Sequence, residues 1–372
     1  MDLPLSPPNT PSGRPSLLGM RDVDLQRHLA AQGIAARPDQ CRRLLAHVIS
    51  DGHSDLFATR KPLAKAFVRA VTEVVDWARL EVVDRVEDPC DGFVKYLLRS
   101  PDGALTEAVR IPLAKPGCFT VCLSSQVGCA MQCVFCATGR LGLTRNLQPW
   151  EMVSALLTVR DALQPGQRVT GAVFMGQGEP LHNYEPVIRA AQVLSLPYGG
   201  RIKAEAISIS TVGLLPAIRR YTAEGHSFRL IVSLTSAIAE RRARLLPIAG
   251  KFPLAEVADT IAAHAASRPG LMTVAWVLME GVNTDQAEID ALQELLGDVP
   301  LRLNLIDVND ARAEGFRPPS ASERARFLSG LQVLGVPIVR RYSGGKERHA
   351  ACGMLASRAL SGSGPPSEKA PS

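Results

Sequence analysis

The chain has 372 residues, 46% of them hydrophobic and 5% aromatic, enough apolar side chain for one large domain with appendages or for two domains. Its 42 basic and 36 acidic residues leave a formal charge of +6, a surplus that suits a nucleic-acid partner without requiring one. The eight cysteines are too unevenly placed for a disulfide scaffold and imply a reducing cytoplasm, no apolar run is long enough to span a bilayer, and the Pro/Ser-rich start lacks the features of a secretory signal.

Residues 1–18 and 357–372, rich in Pro, Ser and Gly, read as disordered tails. Over residues 19–77 the apolar positions recur at helical spacing, which predicts a small module with helices near 21–32, 38–50 and 61–76. On the third of these Lys61, Lys65 and Arg69 form a stripe opposite Leu63, Phe67 and Val74; it is either a wet helix face or a phosphate contact. Short alternating runs over residues 78–117, broken at Asp91-Gly92 and Pro101-Asp102-Gly103, predict a β meander. Residues 118–356 then alternate strands with amphipathic segments, with strands near 119–124, 169–175, 205–210, 228–234, 271–278 and 300–306 and a further one at 336–341. This is an α/β pattern: a parallel sheet covered by helices, doubly wound or curled into a full or partial barrel. In each of these architectures ligands bind where the strands end.

The chemistry-bearing residues fall at those strand ends. After the first strand comes Gly128-Cys129-Ala130-Met131-Gln132-Cys133-Val134-Phe135-Cys136, whose unequal cysteine spacing proposes an iron–sulfur cluster held by three thiolates with one iron left open. A structural zinc site would close its shell with a fourth ligand, and no second pair follows at finger-like spacing. After the second strand, Gly176-Gln177-Gly178-Glu179-Pro180 is either a tight turn or a loop whose backbone passes close to a ligand, with Glu179 able to accept from an ammonium. Leu181 stands where a dinucleotide fingerprint needs its third glycine. Ser210 and Ser233 are helix caps or rim hydroxyls, and Asn309 follows the sixth strand. Cys352, flanked by Ala351 and Gly353, is either a small buried hydrophobe or a thiol with room for something large beside it.

Residues 121–139, 175–181, 210–213 and 350–353 closely resemble the radical S-adenosylmethionine (SAM) RNA methyltransferases that modify adenine, the RlmN/Cfr group, and the likeness runs from about 105 to 356. The resemblance implies a partial (β/α)6 barrel in which Cys129, Cys133 and Cys136 hold a [4Fe-4S] cluster. SAM would be held by Gly178, Glu179, Ser210, Ser233, Leu234, Thr235 and Asn309. It further implies that Cys352 takes a methyl group by displacement, that a radical generated from a second SAM removes hydrogen from it, and that the carbon radical adds to the base. Cys122, seven positions before Cys129, would release the product by forming a disulfide with Cys352, and Glu107, just before Ile111-Pro112, would remove the ring proton. The implied substrate is structured RNA, with C2 of an adenosine in 23S rRNA favoured, tRNA a further substrate and C8 the alternative carbon. A flavodoxin or ferredoxin would supply electrons to a monomeric chain. Three departures stand out: Thr235 where the family has histidine, Asp307 where it has proline, and few aromatics in the helical module. Cys118, Cys41 and Cys90 read as packing residues. The rivals are a zinc-containing RNA-binding protein without catalysis, and a radical enzyme for small molecules, which would have no use for Cys352.

Overall fold

The computed structural model describes residues 10–341 other than 60, 311 and 313, so Cys352 and the expected C-terminal tail lie outside the described residues. The chain opens with three helices, α1 (Asp22–Ala31), α2 (Pro38–Leu45, prolonged by a π turn over Ala46–Ser50) and α3 (Lys65–Thr72). Pro38 starts α2 where a missing N–H leaves no bond unmade. Leu25, Leu29, Leu44, Leu45, Val68 and Val71 are the inward stripes of these helices and are fully buried.

Residues 10–18, expected within a disordered tail, are packed instead. Leu17 N donates to Asp76 O at 2.7 Å and Asp76 N to Pro15 O at 2.9 Å, while Leu17 and Leu18 are wholly buried. Pro and Ser content signalled the absence of a long regular element, but two adjacent leucines and one short backbone bridge suffice to order the segment. The helical module is also continuous with the main domain. Asp24 and Arg189 form a buried pair, and Asp22 accepts from Arg42 Nε at 2.6 Å and from Tyr198 Oη at 2.7 Å.

The meander consists of β1 (Glu81–Glu87), β2 (Val94–Arg99) and β3 (Leu105–Pro112). Its third strand pairs antiparallel with β4 (Cys118–Leu123), placing Val109 opposite Cys122, so meander and main domain share one sheet. A hairpin that sequence periodicity did not reveal follows, β5 (Gln126–Cys129) with β6 (Gly142–Asn146). Strands β7 (Arg168–Phe174), β8 (Ile207–Thr211), β9 (Arg229–Ser233), β10 (Met272–Leu278), β11 (Arg302–Asp307) and β12 (Ile338–Arg341) continue from β4 in parallel. The sheet order is therefore β1-β2-β3-β4-β7-β8-β9-β10-β11-β12, with the hairpin standing apart. The crossovers carry α4 (Pro149–Asp161), α5 (Tyr184–Ser195), α6 (Leu215–Glu224), α7 (Ala239–Leu245), α8 (Leu254–Ser267), α9 (Gln286–Leu296) and α10 (Ala321–Gly330).

Alternation along the strands separates two faces. One carries Ala172, Phe174, Ile209, Leu230, Val232 and Trp276 into the main core, against helix residues such as Met152, Ile188, Ile218 and Ile261. The other carries two small clusters, Phe93, Val109, Cys122 and Val173 in one and Ile231, Ala275 and Ile306 in the other, with Met175 packed against both. The interior strand β10 is buried on both faces, which accounts for its apolar run Val274-Ala275-Trp276-Val277-Leu278. The architecture is the expected α/β partial barrel.

Candidate active site

A cleft of about 880 Å³, counting the open solvent at its mouth, lies at the C-terminal ends of the parallel strands. Cys129, Cys133 and Cys136 line it from the hairpin loop, Gly178 and Glu179 from the turn after β7, Ser210 and Ser233 from the ends of β8 and β9, and Asn309 from beyond β11. Leu234 and Thr235 are not among the lining residues. Leu234 is packed in the main core, and Thr235 is wholly buried at φ 64° with its carbonyl accepting from Asn283 Nδ2 at 2.7 Å. A β-branched residue in the left-handed region is strained, by roughly 1–2 kcal/mol.

Close backbone packing holds the loops in place. At Gly128 (φ 78°) a Cβ would lie 1.9 Å from Gly142 O, so only glycine lets the hairpin close. At Gly178 (φ 102°) a Cβ would lie 2.6 Å from Gln126 Cβ. The close approach expected of this glycine is thus made to the cysteine hairpin itself. Gln126 Oε1 accepts from Glu179 N at 2.8 Å, Ser125 N donates to Gln177 O at 2.8 Å, and Ser124 Oγ accepts from Gln177 N at 3.0 Å. The glycine turn and the cysteine loop therefore move as one unit.

Burial dominates the electrostatics. Glu179 is 2% exposed; its Oε1 accepts from Leu181 N and its Oε2 from Val212 N, each at 2.9 Å. Desolvation outweighs these bonds and pushes the carboxyl up to about 7. Burial likewise pushes the Cys129 thiol up to about 12 and Cys133 well above its ordinary value. Thiols so placed stay neutral unless a cation compensates the thiolates. Arg242, on α7, is 2% exposed, and its Nη2 donates to Val212 O at 2.8 Å.

Glu107 and Cys122 lie on the same face of the sheet, toward the meander. Glu107 is 3% exposed rather than a solvated strand carboxylate, and Lys95 Nζ from β2 stands 3.2 Å from its Oε1. Lys95 was not singled out in the sequence, although pairing the strands across the Pro101-Asp102-Gly103 turn sets Leu97 opposite Glu107 and Lys95 opposite Val109, on one face. Cys122 packs with Phe93, Val109 and Val173 against Met175, which lines the cavity. Cys41, Cys118, Cys129, Cys133 and Cys136 are free thiols. Arg341, at the end of β12, donates from Nη1 to Met175 Sδ at 3.1 Å.

No family model matches the chain. It is 52% identical over 297 residues, 75% of this chain and 87% of the relative, to a "Probable RNA methyltransferase" of Anaeromyxobacter sp. (strain Fw109-5). It is 36% identical over 324 residues, 87% of this chain and 93% of the relative, to the dual-specificity RNA methyltransferase RlmN of Syntrophobacter fumaroxidans. The crystal structure of a radical SAM methyltransferase from Sphaerobacter thermophilus superposes with a TM-score of 0.82 at 32% identity, covering 91% of this chain and 98% of that one. The chain belongs to the RlmN/Cfr-like family of radical SAM RNA methyltransferases.

The residues present fit that family's cluster. Three soft donors line one cavity in surroundings that demand a cation. Among the described residues no three His, Cys, Asp or Glu side chains converge closely enough for a single ion. Membership of an RlmN/Cfr-like family of enzymes sets aside the non-catalytic zinc reading. Among the described residues no helix is long and apolar enough to cross a membrane.

Proposed function

We propose that this RlmN/Cfr-like chain methylates a ring carbon of adenine in structured RNA, using a methyl group carried by Cys352. The observation that carries the reading is the convergence of Cys129, Cys133 and Cys136 with Gly178, Glu179, Ser210, Ser233 and Asn309 on one cavity. Cys129, Cys133 and Cys136 would hold a [4Fe-4S] cluster, which would supply the electron for reductive cleavage of SAM and so the radical route that the electron-poor carbons C2 and C8 require.

The chain's own residues then bind, orient and move protons. Glu179, desolvated and held by two backbone N–H groups, suits the SAM ammonium, which would restore its ionised form. Ser210, Ser233 and Asn309 offer hydroxyl and amide partners around the same cavity. Cys352 would act as the nucleophile toward a methyl sulfonium, and Cys122 as the thiol whose disulfide with Cys352 releases the RNA. Glu107 would take the ring proton, with the Lys95 ammonium beside it favouring the carboxylate. C2 of an adenosine in 23S rRNA is the favoured target, and tRNA a second substrate in line with the dual specificity named for the Syntrophobacter relative.

The two thiol roles separate in one experiment. Anaerobic reaction with RNA should accumulate a protein–RNA adduct in Cys122→Ala and none in Cys122→Ala/Cys352→Ala. Undiminished turnover by Cys352→Ala would refute the reading.

A further inference from the structure

Arg242 is a buried cation that the proposed chemistry leaves unused. It is 2% exposed on α7, and its Nη2 donates to Val212 O at 2.8 Å. Its Nε is buried without a hydrogen-bond partner, and among the described residues no carboxylate lies within ion-pair distance of it. Isolating a guanidinium in this way is costly, since buried charges are ordinarily paired. Leu245 and Leu246, one turn along α7 from Arg242, pack in one cluster with Cys133, and Val212, whose carbonyl holds the guanidinium, packs against the same cluster. Two backbone features fix the arrangement: Val134 N, next to Cys133, donates to Leu245 O at 3.1 Å, and Gly213 leaves room for the guanidinium, since a Cβ there would come within 3.1 Å of Arg242 Nη2.

We propose that Arg242 is a positioning and charge-compensating residue for the cluster, its fixed positive charge stabilising the reduced state on the Cys133 side. This inference rests on the reading of Cys129, Cys133 and Cys136 as cluster ligands. In the step concerned a cluster held by Cys129, Cys133 and Cys136 would accept one electron from a one-electron carrier protein of the flavodoxin or ferredoxin class. No bond is made or broken and no proton moves. A fixed cation at short range in a low-dielectric site favours the more negative partner of such a couple, so it raises the reduction potential. Glu179, which lines the same cavity as Cys133, has the opposite sign, so the guanidinium offsets a carboxylate that this cavity would hold for SAM. The purely structural alternative is that Arg242 only tethers Val212 O, whose own N–H serves Glu179.

The test is an anaerobic redox titration followed by electron paramagnetic resonance, comparing the wild type with Arg242→Gln, Arg242→Met and Arg242→Lys. Gln keeps a donor without charge, Met keeps the length without either, and Lys keeps the charge. The expected result is a potential lowered in Gln and Met by at least a tenfold change in the one-electron equilibrium, about 59 mV, with Lys near the wild type. A wild-type potential in either neutral variant would overturn the proposal. If the neutral variants take up no cluster, Lys decides: loading at the wild-type potential supports the charge role, and failure to load or a lowered potential overturns it. A wild-type protein that binds no iron and sulfide would instead refute the cluster reading itself.

Discussion

Lys95 Nζ stands 3.2 Å from Glu107 Oε1, with the two side chains only 6% and 2% exposed, and this pair joins two strands of the meander through the carboxylate proposed to take the ring proton. Replacing Lys95 by Met should leave the carboxylate without its ammonium in a buried setting, at a cost of about 3–5 kcal/mol in urea unfolding. The acid limb of the methyl-transfer pH profile should also move upward, because Glu107 would hold its proton more tightly. Lys95→Arg should keep most of the stability, and an unchanged pH profile in Lys95→Met would separate Glu107 from proton transfer.

With Glu179 as the proposed partner of the SAM ammonium, SAM affinity should depend on pH. Its folded value, raised by burial to about 7 from 4.5, means that the protonated form favours the native state. That contribution to stability is fully present below 4.5 and is lost as pH rises through about 7. Binding an ammonium needs the ionised form, so SAM affinity measured by calorimetry should weaken by about tenfold per unit below pH 7, with proton release on binding. Glu179→Gln should bind more weakly and without that slope.

Gly178→Ala tests the packing of the glycine turn on the cysteine hairpin. The added Cβ would come within 2.6 Å of Gln126 Cβ at a backbone φ of 102°, so both sterics and conformation oppose it. Stability should fall by about 2–3 kcal/mol, and iron retention should fall with it because turn and cluster loop are one unit. Loss of SAM binding at full stability and iron content would show that the glycine serves only the ligand.

Replacing any one of Cys129, Cys133 and Cys136 by Ala should abolish stoichiometric iron and sulfide in anaerobically purified protein while leaving the fold intact, since their loop lies outside the ten-stranded sheet. Retention of a brown chromophore after two such changes would assign the ligands elsewhere.

Much of this was legible in the sequence because it depends on local pattern. Strand positions followed from β-branched runs, and the cavity residues Cys129, Glu179, Ser210, Ser233 and Asn309 were found by asking what stands at each strand's end. Relationships between distant segments were not legible. Lys95 meets Glu107 only through hairpin register, and Arg242 meets the Cys133 loop only through the packing of α7. Asp307, noted merely as a departure, accepts from Arg324 Nε at 3.1 Å and from Arg340 Nη2 at 3.0 Å, partners far along the chain. Residues 10–18 misled because composition reports the lack of a long element and not the burial of Leu17 and Leu18.

In the proposed function the methyl group reaches adenine as a carbon radical drawn from a thioether. SAM carrying three deuterium atoms on its methyl group, supplied to protein freed of any methyl already on Cys352, tests this directly through the mass of the methyladenine formed in RNA. One hydrogen is abstracted before the carbon joins the ring, and the vacated position is refilled from elsewhere. A methyl group with two deuterium atoms is expected. Three deuterium atoms would mean direct displacement and would contradict the radical route.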